Sequence, residues 1–165
     1  MKRFLSIAVT LIALCACTKT GPKLFSGYYS FKTGGTVEIT GKALGIKDTT
    51  VIRRIVPESG QMHILETGTD KMKVTMNITG GDPLVLEATV KDNALVLSPS
   101  RQRVTVYSEK ILDLNENYYW TLSGSGKRYA NMVLFDIKYA GNYKNDGIEG
   151  TVSKCEISCI ATLNE

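Results

Sequence analysis

The sequence predicts an all-β domain: an antiparallel up-and-down β-barrel, with a two-sheet β-sandwich as the alternative. Three observations predict it. From Phe25 onward apolar residues recur with a period of two, the period of strands with one face in a core. Turn-forming clusters punctuate these runs at short, fairly even spacing, giving nine or ten strand candidates. No long helical pattern interrupts them to make a parallel crossover. Closing a sheet on itself removes exposed edges, which favours the barrel. At 165 residues one domain is the natural reading, and either architecture buries a sizeable core.

Residues 1–16 read as a secretory signal. Lys2 and Arg3 form a basic start, and Phe4 to Ala16 carry no charge. That apolar run is too short for a membrane span, which needs about 20 residues. An ordered, buried N-terminal helix is the alternative. The segment Leu14-Cys15-Ala16-Cys17 resembles the lipobox of bacterial lipoproteins, with an aliphatic residue three before the cysteine and a small one just before it. Cys17 fits, whereas Cys15 follows the bulky Leu14 directly. The resemblance implies that Cys17 is lipidated and begins the mature chain, that Cys15 leaves with the leader, and that the protein is anchored to a membrane. Several acyl chains on one cysteine anchor stably, at about 0.8 kcal/mol per buried methylene.

Residues 17–24 then form a polar tether, and 25–165 form the barrel. The tether has no acidic residue. Acidic residues at that place resemble a surface-export signal of some gut anaerobes, so their absence implies the outer membrane, facing the periplasm. Removing Lys2 and Arg3 lowers the formal charge from +4 to +2, so the basic balance owes much to the leader. No nucleic-acid partner is expected. Arg53-Arg54, Arg101 with Arg103, and Lys127-Arg128 read as solvated turns and edges rather than a phosphate-binding stripe.

Within the domain, Val37 and Ile39 point inward from residues 36–40. Residues 42–56 are ambiguous. Met72, Val74, Met76 and Ile78 share one face of the run Lys71 to Ile78. Leu84, Leu86, Ala88 and Val90 follow, then Val104 and Val106. Residues 108–117 have room for one helical turn. Val133, Phe135, Ile137 and Tyr139 share a face, as do Cys155, Ile157, Cys159, Ala161 and Leu163. Turns are predicted at Gly34-Gly35, Ser59-Gly60, Gly68 to Asp70, Gly80 to Pro83, Lys91 to Asn93, Gly124 to Gly126 and Asn145 to Gly147.

Cys155 and Cys159 are expected to stay unbridged. Four residues apart on a strand they lie about 13 Å apart, whereas a disulfide needs Cα atoms within about 7 Å. They read as small buried hydrophobes. No metal site is expected, because His63 is the only histidine and two thiols do not make a site. His63 itself reads as a packed or surface residue. Leu122-Ser-Gly-Ser-Gly126 lacks the first glycine of a nucleophile elbow. Gly126-Lys127-Arg128 lacks the rest of a phosphate loop. In Asn142 to Gly147, Lys144 falls where a calcium loop needs an acid. No catalytic set and no cofactor are expected.

Aromatic residues cluster at Tyr28, Tyr29 and Phe31 and again at Tyr118, Tyr119 and Trp120. They read first as barrel filling and second as a ligand lining, with Tyr29, Trp120 and Tyr139 as the binding candidates. The leader, tether, Gly27-Tyr28-Tyr29 opening strand and hairpins to the end resemble small lipocalin-like (calycin-like) lipoproteins of the Bacteroidetes. In true lipocalins a tryptophan stands where Tyr29 is. The resemblance implies a barrel that binds a small hydrophobic or amphipathic ligand. A non-enzymatic envelope interaction or inhibitor protein with a filled core is the alternative. Asp48-Thr49-Thr50 resembles the O-glycosylation site of secreted Bacteroidetes proteins, which implies a glycan on Thr49.

Overall fold

A computed structural model describes residues 21–107 and 115–164. The leader, Cys17 and most of the possible helical turn at 108–117 lie outside the described residues. A short 3-10 helix, Gly21–Leu24, precedes ten strands: β1 (Gly27–Ala43), β2 (Lys47–Arg54), β3 (Ser59–Gly68), β4 (Lys71–Ile78), β5 (Leu84–Lys91), β6 (Ala94–Tyr107), β7 (Asn115–Tyr129), β8 (Met132–Ala140), β9 (Asn142–Asn145) and β10 (Ile148–Leu163). Every pairing is antiparallel.

The sheet closes into a barrel. Its ring runs β1-β3-β4-β5-β6-β7-β8-β10, and β10 returns to pair with β1 from Tyr29↔Leu163 to Ala43↔Ile148. That closure selects the barrel over the sandwich. β2 and β9 extend the ring at one end. β1 pairs with β3 through its first six residues and with β2 through its last eight. β10 pairs with β9 near its start and with β8 near its end. β2–β3 and β8–β9 are therefore each one long strand broken in the middle, at residues 55–58 and at Gly141.

Alternation explains which faces go inward. Met72, Val74 and Met76 are buried on β4, Val133, Phe135 and Ile137 on β8, and Ile157, Cys159 and Ala161 on β10. Tight hairpins use left-handed residues where expected: Asp92 (φ 50°) with Asn93 (φ 59°), and Asp146 (φ 55°) with Gly147 (φ 73°).

Three expected turns are instead strand. Gly34-Gly35 lies inside β1, Ser59-Gly60 begins β3, and Gly124 to Gly126 lies inside β7. Gly34 faces open space, but Gly35, Gly60, Gly124 and Gly126 are there for close approach. A Cβ on Gly35 would sit 2.1 Å from the Glu156 carbonyl oxygen across the β1–β10 seam. A Cβ on Gly126 would sit 2.7 Å from the Phe135 ring, which fills the space that inward glycine leaves.

One end is plugged. Phe25, just after the 3-10 helix, is fully buried there, as is Tyr29. The Tyr29 hydroxyl donates to the Phe25 carbonyl (2.6 Å) and accepts from Arg128 Nη1 (2.6 Å). The Arg128 guanidinium lies 5.6 Å from the Tyr29 ring centre. Tyr29 thus ties the start of the chain to β7 and fills this end of the core.

Candidate functional site

The cleft in the barrel wall forms where backbone pairing fails. β5 pairs with β6 only from Ala88↔Leu97 to Lys91↔Ala94. Beyond Leu97 comes Pro99, which has no N–H to donate, and the β6–β7 register shifts between Leu97 and Ser100. β6 then leaves β5 and meets the β2–β3 corner, where Ile55 bridges Val106 and Val56 N–H donates to the Thr105 carbonyl (2.8 Å). Pro57 lies in that corner, and Pro83 precedes β5. Three of the four prolines therefore surround one gap.

The gap opens into an apolar cleft. Met62, Val74, Met76, Leu84, Leu86 and Phe135 are among its walls, with Tyr139 and Cys159 beside them. Its polar lining is Thr33, Glu58, Arg103 and Thr105. About 600 Å³ of space lies between the walls out to the mouth, but only about 40 Å³ admits the centre of a water molecule. That is room for about three waters, at about 10–15 Å³ each. Most of the space between the walls is therefore closed even to water, and the lining includes the adaptable side chains of Met62 and Met76.

Glu58 is fixed through its backbone. Its N–H donates to Thr33 Oγ1 (2.8 Å), and its carbonyl accepts the Thr33 N–H (2.7 Å). Burial pushes its carboxyl above the ordinary range, and the positive charge of Arg103 pulls the other way. Burial, with the Glu58 charge adding to it, pushes the Cys159 thiol up to about 12. It also holds the Tyr139 hydroxyl well above its usual value, again with Glu58 contributing. The thiol and phenol therefore sit in the lining in their neutral forms at ordinary pH.

An aromatic column runs from the cleft to the far end. Tyr139 meets Trp120 (ring centres 6.1 Å apart), Trp120 stacks on Tyr118 (5.1 Å), and Tyr118 stacks on Tyr143 (5.1 Å). Trp120 Nε1–H donates to the Asn142 carbonyl (2.8 Å). Beyond Tyr143 lies Arg53, whose Nε–H donates to the Tyr143 hydroxyl (3.2 Å) and whose Nη2 pairs with Asp146 (3.5 Å). Arg53 is buried, which corrects its expected place at a solvated edge.

Of the three predicted ligand residues, the structure brings Tyr139 to the cleft. Trp120 stands behind it, and Tyr29 belongs to the plug at the closed end. Glu58, Arg103 and the methionines were missed as site residues. The signal that finds them is the set of prolines inside strand-like sequence. Thr49 is half-buried on β2 opposite Gly41, while Thr50 beside it is exposed. Cys155 and Cys159 are free thiols on one face of β10, with Ile157 between them. His63 stacks flat on Tyr28 (4.1 Å, 7°), away from the cleft. Among the described residues no group of three His, Cys, Asp or Glu is placed to hold a metal ion. A scan against protein-family models finds no match, and a search of the curated proteins finds none either.

Proposed function

We propose that the protein is a lipid-anchored envelope lipoprotein whose barrel holds a slender hydrophobic or amphipathic molecule in the wall cleft. One observation carries the reading: a deep apolar lining converges with Glu58, Arg103, Thr33 and Thr105. An apolar tail would lie between Met62, Met76 and Phe135, and its polar end would meet the charged pair. The barrel layout and the Cys17 lipobox support the resemblance to lipocalin-like lipoproteins and a place on the outer membrane facing the periplasm. The role is non-enzymatic.

The test is native mass spectrometry of the protein purified from its host, followed by titration with dodecanoic acid and dodecylamine. A co-purified ligand or saturable one-to-one binding is expected. Leu84→Trp should weaken binding about tenfold or more, because Leu84 is half-buried in the lining and an indole there occupies the cleft. Absence of both ligand and binding would leave the second reading, an interaction protein with a filled core. The narrowness of the cleft favours that reading.

A further inference from the structure

The outer wall carries an apolar patch where β7, β8, β10 and β1 lie side by side. Strand register builds it in two rows. Nearest the plugged end the row is Tyr129, Met132, Thr162 and Ser30. The next is Lys127, Leu134, Ile160 and Lys32. Tyr129 (50%), Met132 (40%), Leu134 (40%) and Ile160 (46%) are all exposed. The third row, Ser125, Asp136, Ser158 and Gly34, is polar and bounds the patch.

Two further facts say what covers it. The N-terminal chain arrives at this end, where the 3-10 helix packs on β5 and Leu24 shares a surface groove with Asp92 and Asn93 of the β5–β6 turn and with Lys127, Arg128, Tyr129 and Ala130. Cys17 is four residues before Gly21, a reach of about 14 Å at most. An acyl anchor within that reach would bring the plugged end of the barrel, and the patch beside it, to the lipid surface. The side chains also suit an interface: a tyrosine at the rim, aliphatic groups in the middle, and a lysine at each end of the second row to meet anionic headgroups.

We propose that this face docks on the bilayer, so that the anchored domain lies on its β7–β8–β10 wall. The inference rests on the lipid anchor at Cys17. The ring order places the mouth of the cleft, where β6 leaves β5, in the half of the ring opposite the patch, while Phe135, Tyr139 and Cys159 on the inner side of β8 and β10 line its floor. Docking therefore turns the mouth away from the membrane, toward a ligand that arrives through water.

The experiment uses the full chain, matured in its host and reconstituted in vesicles of phosphatidylethanolamine and phosphatidylglycerol. Leu134→Cys and Ile160→Cys are compared with Val85→Cys, each in a Cys155→Ser background, by reaction with a membrane-impermeant maleimide. Val85 is similarly exposed (49%) on the opposite wall. The patch positions should react about tenfold more slowly than Val85→Cys, and Lys32→Glu with Lys127→Glu should abolish much of that protection. Equal rates at all three positions would overturn docking while leaving the anchor intact. Failure of the protein to enter vesicles, with a mature Cys17 free of acyl chains, would remove the anchor and docking together. Protection in whole cells but not in vesicles would also overturn it, because the patch would then face a protein.

Discussion

Glu58 brings a carboxylate into an apolar cleft, and the cost appears as a pH dependence. Its folded pKa is raised above the ordinary 4.5, chiefly by burial. A raised carboxyl contributes stability that is full below the ordinary value and is lost as pH rises through the raised one. Glu58→Gln cannot ionise. We expect parent and variant to differ most in melting temperature above this window, with the variant gaining, and to converge toward about pH 4. Thermal denaturation followed by circular dichroism from about pH 4 to 8 checks it. A constant difference across that range would mean that Glu58 ionises as freely in the folded protein as in the unfolded chain. Arg53 shows why such residues are hard to read. In Val51 to Ile55 the exposed position holds Ile52 and the buried one Arg53, the reverse of the usual pattern. The partners that make this tolerable, Tyr143 and Asp146, lie some ninety residues further along the chain. No local pattern announces them.

At the scale of the strand and the turn, alternation was enough to assign faces on β4, β5, β8 and β10, because each has one wall in the core. It was not enough where a glycine stands inside a strand. Gly34-Gly35 has the composition of a turn, and only the approach of β10 to Gly35 shows why a glycine stands inside the strand. The prolines around the cleft were visible as residues, but the gap they surround needs the strand order. The β1–β2 turn departs from its favoured chemistry. Leu44 adopts φ 49° at 84% exposure, in a turn closed by Ile46 N–H to the Ala43 carbonyl (3.1 Å). Asparagine accepts that conformation far more readily. Leu44→Asn should raise stability by about 1 kcal/mol, read as a higher midpoint in urea with an unchanged slope. A lower midpoint would show that the leucine side chain holds the tip through packing.

For the whole molecule, the number of strands and the closed architecture were legible from spacing and edge avoidance. The two broken strands and the side opening were not, since they depend on register between distant segments. The ring is sealed by its first and last strands, with Phe31 opposite Ala161 and Val37 opposite Cys155. A chain ending at Glu156 keeps nine of the strands entire and loses the part of β10 that pairs with β8 and with the start of β1. We expect that chain to lose its cooperative thermal transition and its near-ultraviolet circular dichroism, rather than to melt a few degrees lower. A cooperative transition of near-native height would show that the open sheet is stable alone.

The same seal sets a timetable. A chain that emerges N-terminus first has β1 available early but must hold it unpaired with β10 until the sixteen residues of that last strand appear. Pairings between chain ends are the slowest to form, because the intervening loop must close first. The barrel therefore stays open while the chain is being made, and latches only once β10 has emerged.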